Sequence, residues 1–362
     1  MALALAWAAL VIPVGTHKGG DFTPELAQSD RLLHRLPLYD ANPPHGVWWP
    51  PFTAALLAPF ALVARWASLT LAKALWAALS AACVIWSVER AGRTWGWVPA
   101  LIGFAAVAAP IENSFQHLQL TTILLALVVA AALDSRGGRE RRAGAWIGAA
   151  TALKAFPALL LAYLATRHRW RALVVGTVVT VGLTVGAMLP YGPVGATTAV
   201  RDWLLLNGRA TGVGGLHMQK LARLGYDLGG SLPVIIAAEA VIVAVVAYVL
   251  HRREPRQDAL ADIGTVTLVA VLLSPIGWYY YFGLLFPAWV AVLRGPEVAD
   301  PRLWRGALVL AGVLTSGVLG QQFYPATFAF LAANNDALGG LLLLALLLLQ
   351  RMAPPQTTPR PC

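Results

Sequence analysis

Long apolar segments separated by short arginine-rich loops constrain the fold of this chain more than any other feature. Residues 173–190 and 232–250 each reach the roughly 17–25 apolar residues that an α-helix needs to cross a bilayer. Only 12% of the 362 residues are charged, against roughly 25% in soluble domains. The sequence therefore predicts an all-α polytopic membrane protein. Residues 1–15 lack a basic leader and a cleavage site, so we expect a first membrane helix there and not a signal peptide.

The distribution of charge predicts how the chain is oriented in the membrane. Segment 16–50 holds more acidic than basic residues and is predicted to be extracytoplasmic. The net charge of +10 therefore reflects orientation, and we expect no nucleic-acid partner. Arginines concentrate in short loops, as is typical of the cytoplasmic side: Arg90 and Arg93; Arg136, Arg139, Arg141 and Arg142; Arg167, Arg169 and Arg171; Arg252, Arg253 and Arg256; Arg294, Arg302 and Arg305.

These loops predict about ten transmembrane helices with both chain ends inside. They form one membrane domain, residues 1–350, with extracytoplasmic segments 16–50 and 191–230 and a cytoplasmic tail, 351–362. The Ala, Leu, Val, Gly and Arg bias favours a bacterial inner membrane. The predicted crossings are 1–15, 70–88, 97–110, 116–133, 172–190, 232–250, 260–275, 279–293, 306–320 and 337–350.

Two apolar stretches do not fit as simple crossings. Residues 52–64 would break the parity, so we expect an interfacial segment. Residues 143–166 have arginines at both ends, which predicts a re-entrant pair of half-helices meeting at Lys154-Ala155-Phe156-Pro157, because proline lacks the N–H that continues a helix. An ordinary kinked helix is the alternative.

Asp21 and Lys154 are the two ionisable residues whose placement favours chemistry. Asp21 follows Gly19-Gly20 directly after the first helix, where a carboxylate can accept a proton from a hydroxyl; a solvated loop aspartate or a helix N-cap is the alternative. Lys154 lies deep in an apolar stretch, where a charge costs roughly 2.5–3.5 kcal/mol and marks a functional site by default. A lipid phosphate would suit it, and pairing with Glu239 or with free carbonyls is the alternative.

Other polar and aromatic residues are weaker candidates for binding. Gln116, His117 and Gln119 are placed at an extracytoplasmic hairpin whose turn is predicted at residues 112–117. His217 and Gln219 lie in the second extracytoplasmic segment, and each of these five side chains could bind a sugar hydroxyl or a phosphate. Trp278 and Tyr279 could stack on a sugar or simply mark the membrane interface. The sequence contains no H-E-x-x-H, D-x-D or Cys/His metal spacing, no G-x-x-x-x-G-K-[ST] nucleotide motif and no G-x-S-x-G hydrolase motif. We therefore expect no metal and no cofactor.

Six short motifs occur in order over residues 20–290: Asp21-Phe22; Leu38-Tyr39-Asp40; Trp49-Pro50-Pro51-Phe52; Leu118-Gln119-Leu120-Thr121; Lys154-Ala155-Phe156-Pro157; and Ser274-Pro275-Ile276-Gly277-Trp278. Together they resemble the pattern of glycosyltransferase family 87, whose members have the GT-C fold and use polyprenyl-phosphate sugars. In this chain Leu118 stands where the family pattern has a glycine, and Tyr279–Tyr281 stand where it often has histidines.

The resemblance implies an inverting membrane glycosyltransferase with Asp21 as its general base and with Lys154 and His217 on the donor phosphate. The donor would be a polyprenyl-phosphate sugar, with mannose favoured. The acceptor would be a glycolipid or cell-envelope glycan on the extracytoplasmic side of the bilayer. The implied substrate-binding residues are Asp40, Gln119, Gln219, Trp278 and Tyr279. An arabinofuranosyltransferase of the same type, a lipid-linked sugar flippase and an envelope scaffolding protein are the alternatives.

Overall fold

The chain is built from α-helices. A computed structural model describes residues 2–39, 49–210, 220–252, 259–274, 276–298, 300–317 and 329–353, and no β-strand occurs in those ranges. The helices are α1 (Ala2–His17), α2 (Phe22–Leu33), α3 (Pro51–Trp66), α4 (Leu69–Trp95), α5 (Trp97–His117), α6 (Thr121–Arg136), α7 (Glu140–Leu153), α8 (Ala158–Thr166), α9 (Trp170–Met188), α10 (Gly192–Ala210), α11 (Lys220–Asp227), α12 (Leu232–Arg252), α13 (Ala259–Leu272), α14 (Phe286–Arg294), α15 (Pro301–Thr315) and α16 (Ala329–Met352), with 3-10 helices at Leu189–Tyr191 and Tyr279–Leu285.

Several long apolar helices with exposed aliphatic side chains indicate a multi-pass membrane protein. Five stretches are long and apolar enough to cross a bilayer, and three shorter apolar helices accompany them. On α9, Val174, Val178, Val181 and Val185 share one helix face, and each is more than half exposed. A soluble protein rarely leaves such a face uncovered, so hydrocarbon is the solvent it suits. The five stretches are Leu69–Trp95, Trp97–His117, Trp170–Leu206, Leu232–His251 and Ala333–Met352.

The two segments predicted to be extracytoplasmic loops contain helices. Segment 16–50 includes α2, and segment 191–230 includes α10 and α11. The helix α2 is amphipathic, since Phe22, Leu26, Ser29 and Leu32 recur at helical spacing and are buried. The polarity of the segment predicted a loop, because the periodic spacing of its apolar residues was not considered.

The turn between α5 and α6 lies later in the chain than predicted. Residues 112–117 are helical, and the turn comprises residues 118–120. Gln116 Nε2 donates to Glu112 Oε1 at 3.1 Å, a bond between side chains one helical turn apart. Leu118 then ends α5 with φ 53° and ψ 44°, the left-handed conformation that commonly closes a helix.

Stretch 143–166 is interrupted by a break rather than a kink. The helix α7 ends at Leu153, Lys154 is extended with φ −145° and ψ 137°, and α8 begins at Ala158. The carbonyl of Leu153, which has no partner further along α7, accepts a hydrogen bond from Thr53 Oγ1 at 2.8 Å. The break predicted at this point is present, and α3 satisfies part of its free backbone.

Glycines allow α7 to lie directly on α9. A Cβ on Gly144 would collide with the carbonyl of Ala172, and a Cβ on Gly148 would collide with that of Gly176. Gly144 and Gly148 are four residues apart and face the same way, which is the small-residue spacing that brings membrane helices together. This contact fixes the position of α7, which ends immediately before Lys154.

Trp76 of α4 connects the helices that carry the candidate site. Its indole is 1% exposed and stacks on Phe22 at a centroid distance of 5.9 Å. Its Nε1 donates to the carbonyl of Leu118 at 2.8 Å, and Phe60 of α3 meets it edge-on at 5.1 Å. The start of α2 and the turn after α5 are therefore held on one side chain.

Candidate active site

Asp21 stands at the N-cap position of α2 and leaves its carboxylate free for other contacts. It makes no side-chain capping hydrogen bond, unlike most aspartates at this position. The next residue, Phe22, is completely buried and held by Trp76. Asp21 therefore occupies the N-cap position, as the alternative interpretation predicted, but its carboxylate does not cap the helix. The carboxylate contacts Gln119 in the α5–α6 turn instead.

Gln119, in that turn, links two carboxyl groups. Its Nε2 donates to Asp21 Oδ2 at 2.9 Å and to Glu25 Oε1 at 3.1 Å. Gln119 is 3% exposed and Glu25 is 5% exposed. Because Asp21 and Glu25 are four residues apart, both lie on the same face of α2. Gln119 thus lies beside Asp21 and contacts protein carboxyl groups, and its role in substrate binding stays a prediction.

His117 approaches the same oxygen of Asp21. Its Nδ1 lies 3.4 Å from Asp21 Oδ2, which is within ion-pair range but outside hydrogen-bond geometry. Among the described residues, the two side chains that contact the Asp21 carboxylate, Gln119 and His117, both approach Oδ2. One oxygen is therefore held, and Oδ1 has no protein donor in the part of the chain that is described.

The two carboxyl groups have pKa values shifted in opposite directions. Contact with His117 lowers the pKa of Asp21, with help from the Gln119 amide and the charge of Lys154, although partial burial opposes them. Burial raises the pKa of Glu25 well above its ordinary value, although Lys154 acts in the other direction. Asp21 is therefore the group that stays ionised at neutral pH, and environments that separate two carboxyl groups in this way mark acid–base sites.

Lys154 is buried near these carboxyl groups. It is 7% exposed, and its Nζ lies 4.2 Å from the ring centroid of Trp49 and 5.5 Å from that of Tyr281, so aromatic faces hold the ammonium. In the part of the chain that is described, Glu25 and Asp21 are the acidic groups whose charge acts on it. The alternative partner Glu239 is not among the groups that act on this charge.

The tyrosine run lies between the two halves of the site. Tyr280 contacts the His117 ring at 5.9 Å, Tyr281 lies by Lys154, and the two tyrosine rings meet edge-on at 4.8 Å. Trp278 is 48% exposed and stacks on Tyr280. Tyr279 is directed away, with its hydroxyl against Gly317.

The structure brings together part of the predicted set. Asp21, Gln119 and Lys154 converge, Trp278 borders them through Tyr280, and Tyr279 is directed away from them toward Gly317. Asp40, His217 and Gln219 lie outside the described residues. Within the described ranges, no three His, Cys, Asp or Glu side chains are grouped so that they could hold a metal ion.

Sequence reasoning missed Glu25 as a member of the site, although Glu25 follows Asp21 by one helical turn in an amphipathic pattern. Trp49 and Tyr281 were named only as positions in the family pattern. Their contact with the Lys154 ammonium could not be predicted, because an aromatic residue beside a buried cation cannot be recognised without the tertiary fold. Gln116, grouped with His117 in the sequence, bonds instead to Glu112.

Comparison with known proteins assigns this chain to a family. The model of glycosyltransferase family 87 matches residues 48–275, more than half of the chain. This range includes Gln119 and Lys154 and begins after Asp21. No solved structure matches the chain.

Three curated relatives are similar over most of the chain. Two are named polyprenol-phosphate-mannose-dependent alpha-(1-2)-phosphatidylinositol pentamannoside mannosyltransferases. The one from Mycobacterium tuberculosis (strain CDC 1551 / Oshkosh) is 28% identical over 70% of this chain and 59% of its own length. The other, from Mycolicibacterium smegmatis (strain ATCC 700084 / mc(2)155), is 30% identical over 58% of this chain and 51% of its own length.

A third relative, from the same Mycolicibacterium smegmatis strain, is 26% identical over 73% of this chain and 65% of its own length. It is named a polyprenol-phosphate-mannose-dependent alpha-(1-2)-phosphatidylinositol mannoside mannosyltransferase. The chain thus spans between about half and two thirds of the relatives it matches. By the extent of the family match, the chain belongs to glycosyltransferase family 87.

Proposed function

We propose that this protein is an inverting membrane glycosyltransferase that moves a mannosyl group from a polyprenyl-phosphate mannose to a hydroxyl of a glycolipid. The acceptor class is a phosphatidylinositol mannoside or a related envelope glycan. The names of the three relatives support both substrates. The observation that carries the proposal is the Asp21 carboxylate, held through Oδ2 by Gln119 and open at Oδ1.

Asp21 is the general base of the proposed reaction. The acceptor hydroxyl gives its proton to Asp21 Oδ1 as its oxygen forms a bond to the anomeric carbon of mannose. The bond from that carbon to the phosphate oxygen breaks, and the electron pair leaves with polyprenyl phosphate. A phosphate is a good leaving group at neutral pH and needs no general acid. A single in-line displacement assisted by one general base inverts the configuration of the anomeric carbon, as it does in inverting glycosidases.

Lys154 is the proposed contact for the donor phosphate. Its ammonium lies on the Trp49 ring in a buried setting where a cation stabilises developing negative charge strongly. Before the donor binds, the nearby carboxyl groups of Glu25 and Asp21 offset its charge. His217 remains a second proposed phosphate contact, and Asp40, Gln219, Trp278 and Tyr279 remain proposed contacts to the sugars.

The proposed orientation places this site on the extracytoplasmic side of a bacterial inner membrane. We retain about ten crossings, an interfacial α3 and a re-entrant pair α7–α8 with Lys154 at its apex. Arginine-rich connections such as α6–α7, where Arg139 and Arg142 pair with Asp134, lie on the opposite side. Extracytoplasmic cysteine labelling of single-cysteine variants at residues 23 and 138 tests this: residue 23 should react in intact cells, and residue 138 should not.

Transfer of radiolabelled mannose by the purified protein tests the reaction. Wild type should move label from polyprenyl-phosphate mannose to a phosphatidylinositol mannoside, and Asp21→Asn should lower kcat by about 100-fold or more, as expected when a general base is lost. Asp30→Asn, a carboxyl-to-amide change on the same helix but at a half-exposed residue paired with His34, is the matched control. Equal transfer by Asp21→Asn and wild type removes Asp21 from the mechanism. Transfer only from an arabinofuranosyl donor overturns the mannose assignment.

A further inference from the structure

Glu25 is a buried carboxyl group that the proposed mechanism does not use. It lies one turn after Asp21 on α2 and is 5% exposed. One of its oxygens accepts from Gln119 Nε2 at 3.1 Å, and within the described residues the other, Oε2, is buried without a hydrogen-bond partner. Burying an ionised carboxylate with a single hydrogen-bond partner costs free energy, which suggests that Glu25 has a specific role at this position.

The contact of Glu25 with the Gln119 amide indicates this role. A side-chain NH2 has two hydrogens, and the bonds to Asp21 and Glu25 use both. The amide oxygen, Oε1, has no partner in the described part of the chain. The orientation of this amide therefore depends on its two carboxyl partners. Rotation by half a turn would place the amide oxygen against the Asp21 carboxylate, and two acceptors would then face each other.

We propose that Glu25 is a positioning residue that acts as a neutral carboxyl group through Gln119. It keeps the amide NH2 directed at Asp21 Oδ2 and so keeps Oδ1 turned to the acceptor hydroxyl. This inference rests on the proposed function, because it assigns Glu25 a part in aligning the general base. Glu25 itself touches neither substrate in this proposal.

The surroundings of Glu25 favour its neutral form during turnover. Two anions sharing one NH2 repel each other, so Asp21, which stays ionised, opposes ionisation of Glu25. Lys154 favours the ionised form, but its Nζ lies over the Trp49 ring, and Glu25 Oε2 has no hydrogen-bond partner among the described residues. A donor phosphate beside Lys154 would neutralise that cation and leave Glu25 protonated. Within the described ranges, the ionisable groups that interact electrostatically with Glu25 are Asp21 at the start of its own helix, Lys154 at the α7–α8 break, and Tyr280 and Tyr281 in the 3-10 helix before α14.

Three variants of the full-length protein test the proposal by kcat, KM and the pH profile of transfer. Glu25→Gln is a neutral isostere that can still accept from Gln119, so it should keep kcat near that of wild type. Glu25→Ala should lose at least about tenfold in kcat with little change in the donor KM, as expected for a lost hydrogen bond that acts on alignment. Asp30→Asn, on the same helix, should match wild type.

A double-mutant cycle separates positioning from a structural role. If Glu25 acts through Gln119, then Glu25→Ala should cost almost nothing in a Gln119→Ala background. Additive losses would overturn the proposal. So would a folded Glu25→Gln protein that is as slow as Glu25→Ala, because Glu25 would then act as an anion. Wild-type kcat in Glu25→Ala would show that Gln119 needs no second partner.

An infrared spectrum gives a readout that does not depend on activity. Wild type at neutral pH should show a carbonyl band of a buried neutral carboxyl group that is lost in Glu25→Gln and kept in Asp30→Asn. The absence of this difference band overturns the neutral state of Glu25, even if the protein transfers mannose. A band that is present while wild type transfers no sugar would instead contradict the proposed function and leave the neutral carboxyl established.

Discussion

Leu118 packs its side chain into a notch left by Gly19. A Cβ on Gly19 would lie 2.8 Å from Cδ1 of Leu118 and 2.9 Å from the carbonyl oxygen of Gly15. Both residues have left-handed backbone, with φ +42° at Gly19 and φ 53° at Leu118. Leucine pays roughly 1–2 kcal/mol for that conformation, and burial against α1 offsets the cost. The contact joins the loop before Asp21 to the turn that carries Gln119.

Gly19→Ala should therefore damage both stability and transfer. The added methyl group meets Leu118 and a backbone carbonyl at a position whose φ already disfavours a side chain, so we expect a cost of about 1–3 kcal/mol. The melting temperature in detergent measures it. Gly20→Ala is the matched control for stability, because nothing lies within 4 Å of a Cβ there and its φ is not positive. Equal melting temperatures for the two variants would contradict the packing argument.

His117→Ala should shift the acid limb of transfer activity to higher pH. Contact with His117 lowers the pKa of Asp21, so its removal lets that pKa rise toward the ordinary value, and the base becomes protonated at a higher pH. The depressed pKa also means that Asp21 contributes stability above its unfolded pKa and loses it as pH falls through the native pKa. In His117→Ala, both the lowering of the Asp21 pKa and the stability that Asp21 contributes through it should become smaller.

The pH profile of kcat/KM measures this shift for His117→Ala against wild type. His34→Ala is the control, because His34 also pairs with an aspartate, Asp30, at 3.5 Å but lies at the far end of α2. An acid limb that stays in place in His117→Ala would show that the histidine does not act on the base.

The sequence predicted the parts of this site that local patterns reveal. Hydropathy predicted the long apolar helices such as α4, α5, α9 and α12, the proline marked the break after Lys154, and Asp21 was singled out by its position after α1. The partners of these residues could not be predicted in the same way. Gln119 reaches Asp21 only because Leu118 adopts a left-handed conformation and Trp76 holds its carbonyl, and both facts belong to the tertiary fold.

The segments 16–50 and 191–230 show a second limit. Their polarity predicted loops, whereas the structure forms α2, α10 and α11 there. An amphipathic helix on a membrane protein has low mean hydropathy but strong periodicity, so only the period of Phe22, Leu26 and Ser29 could have revealed α2. Asp40, His217 and Gln219, which were predicted from the same segments, stay predictions.

Lys154→Met should weaken the use of the donor. Methionine keeps much of the side-chain length but removes the charge that would face the phosphate, at a cost of about 1.5–3 kcal/mol in kcat/KM, or roughly 10- to 100-fold. Initial rates at varied polyprenyl-phosphate mannose measure it. Lys73→Met is the matched control, since Lys73 is a lysine near the start of α4 whose Nζ lies 3.5 Å from the carbonyl of Lys18. Donor kinetics that change equally in both variants would exclude a specific phosphate contact.

Gly148→Val should separate α7 from α9 and so disturb the break that holds Lys154. A Cβ at Gly148 collides with the carbonyl of Gly176, and that carbonyl also accepts from Thr180 Oγ1 at 2.9 Å, so the backbone has little freedom to yield. Overpacking of this kind costs about 1–3 kcal/mol, and we expect a lower melting temperature together with a higher donor KM. Gly182→Ala on α9 is the control, because nothing lies within 4 Å of its Cβ position. A fall in melting temperature without any change in donor KM would show that the α7–α9 contact stabilises the fold but does not place Lys154.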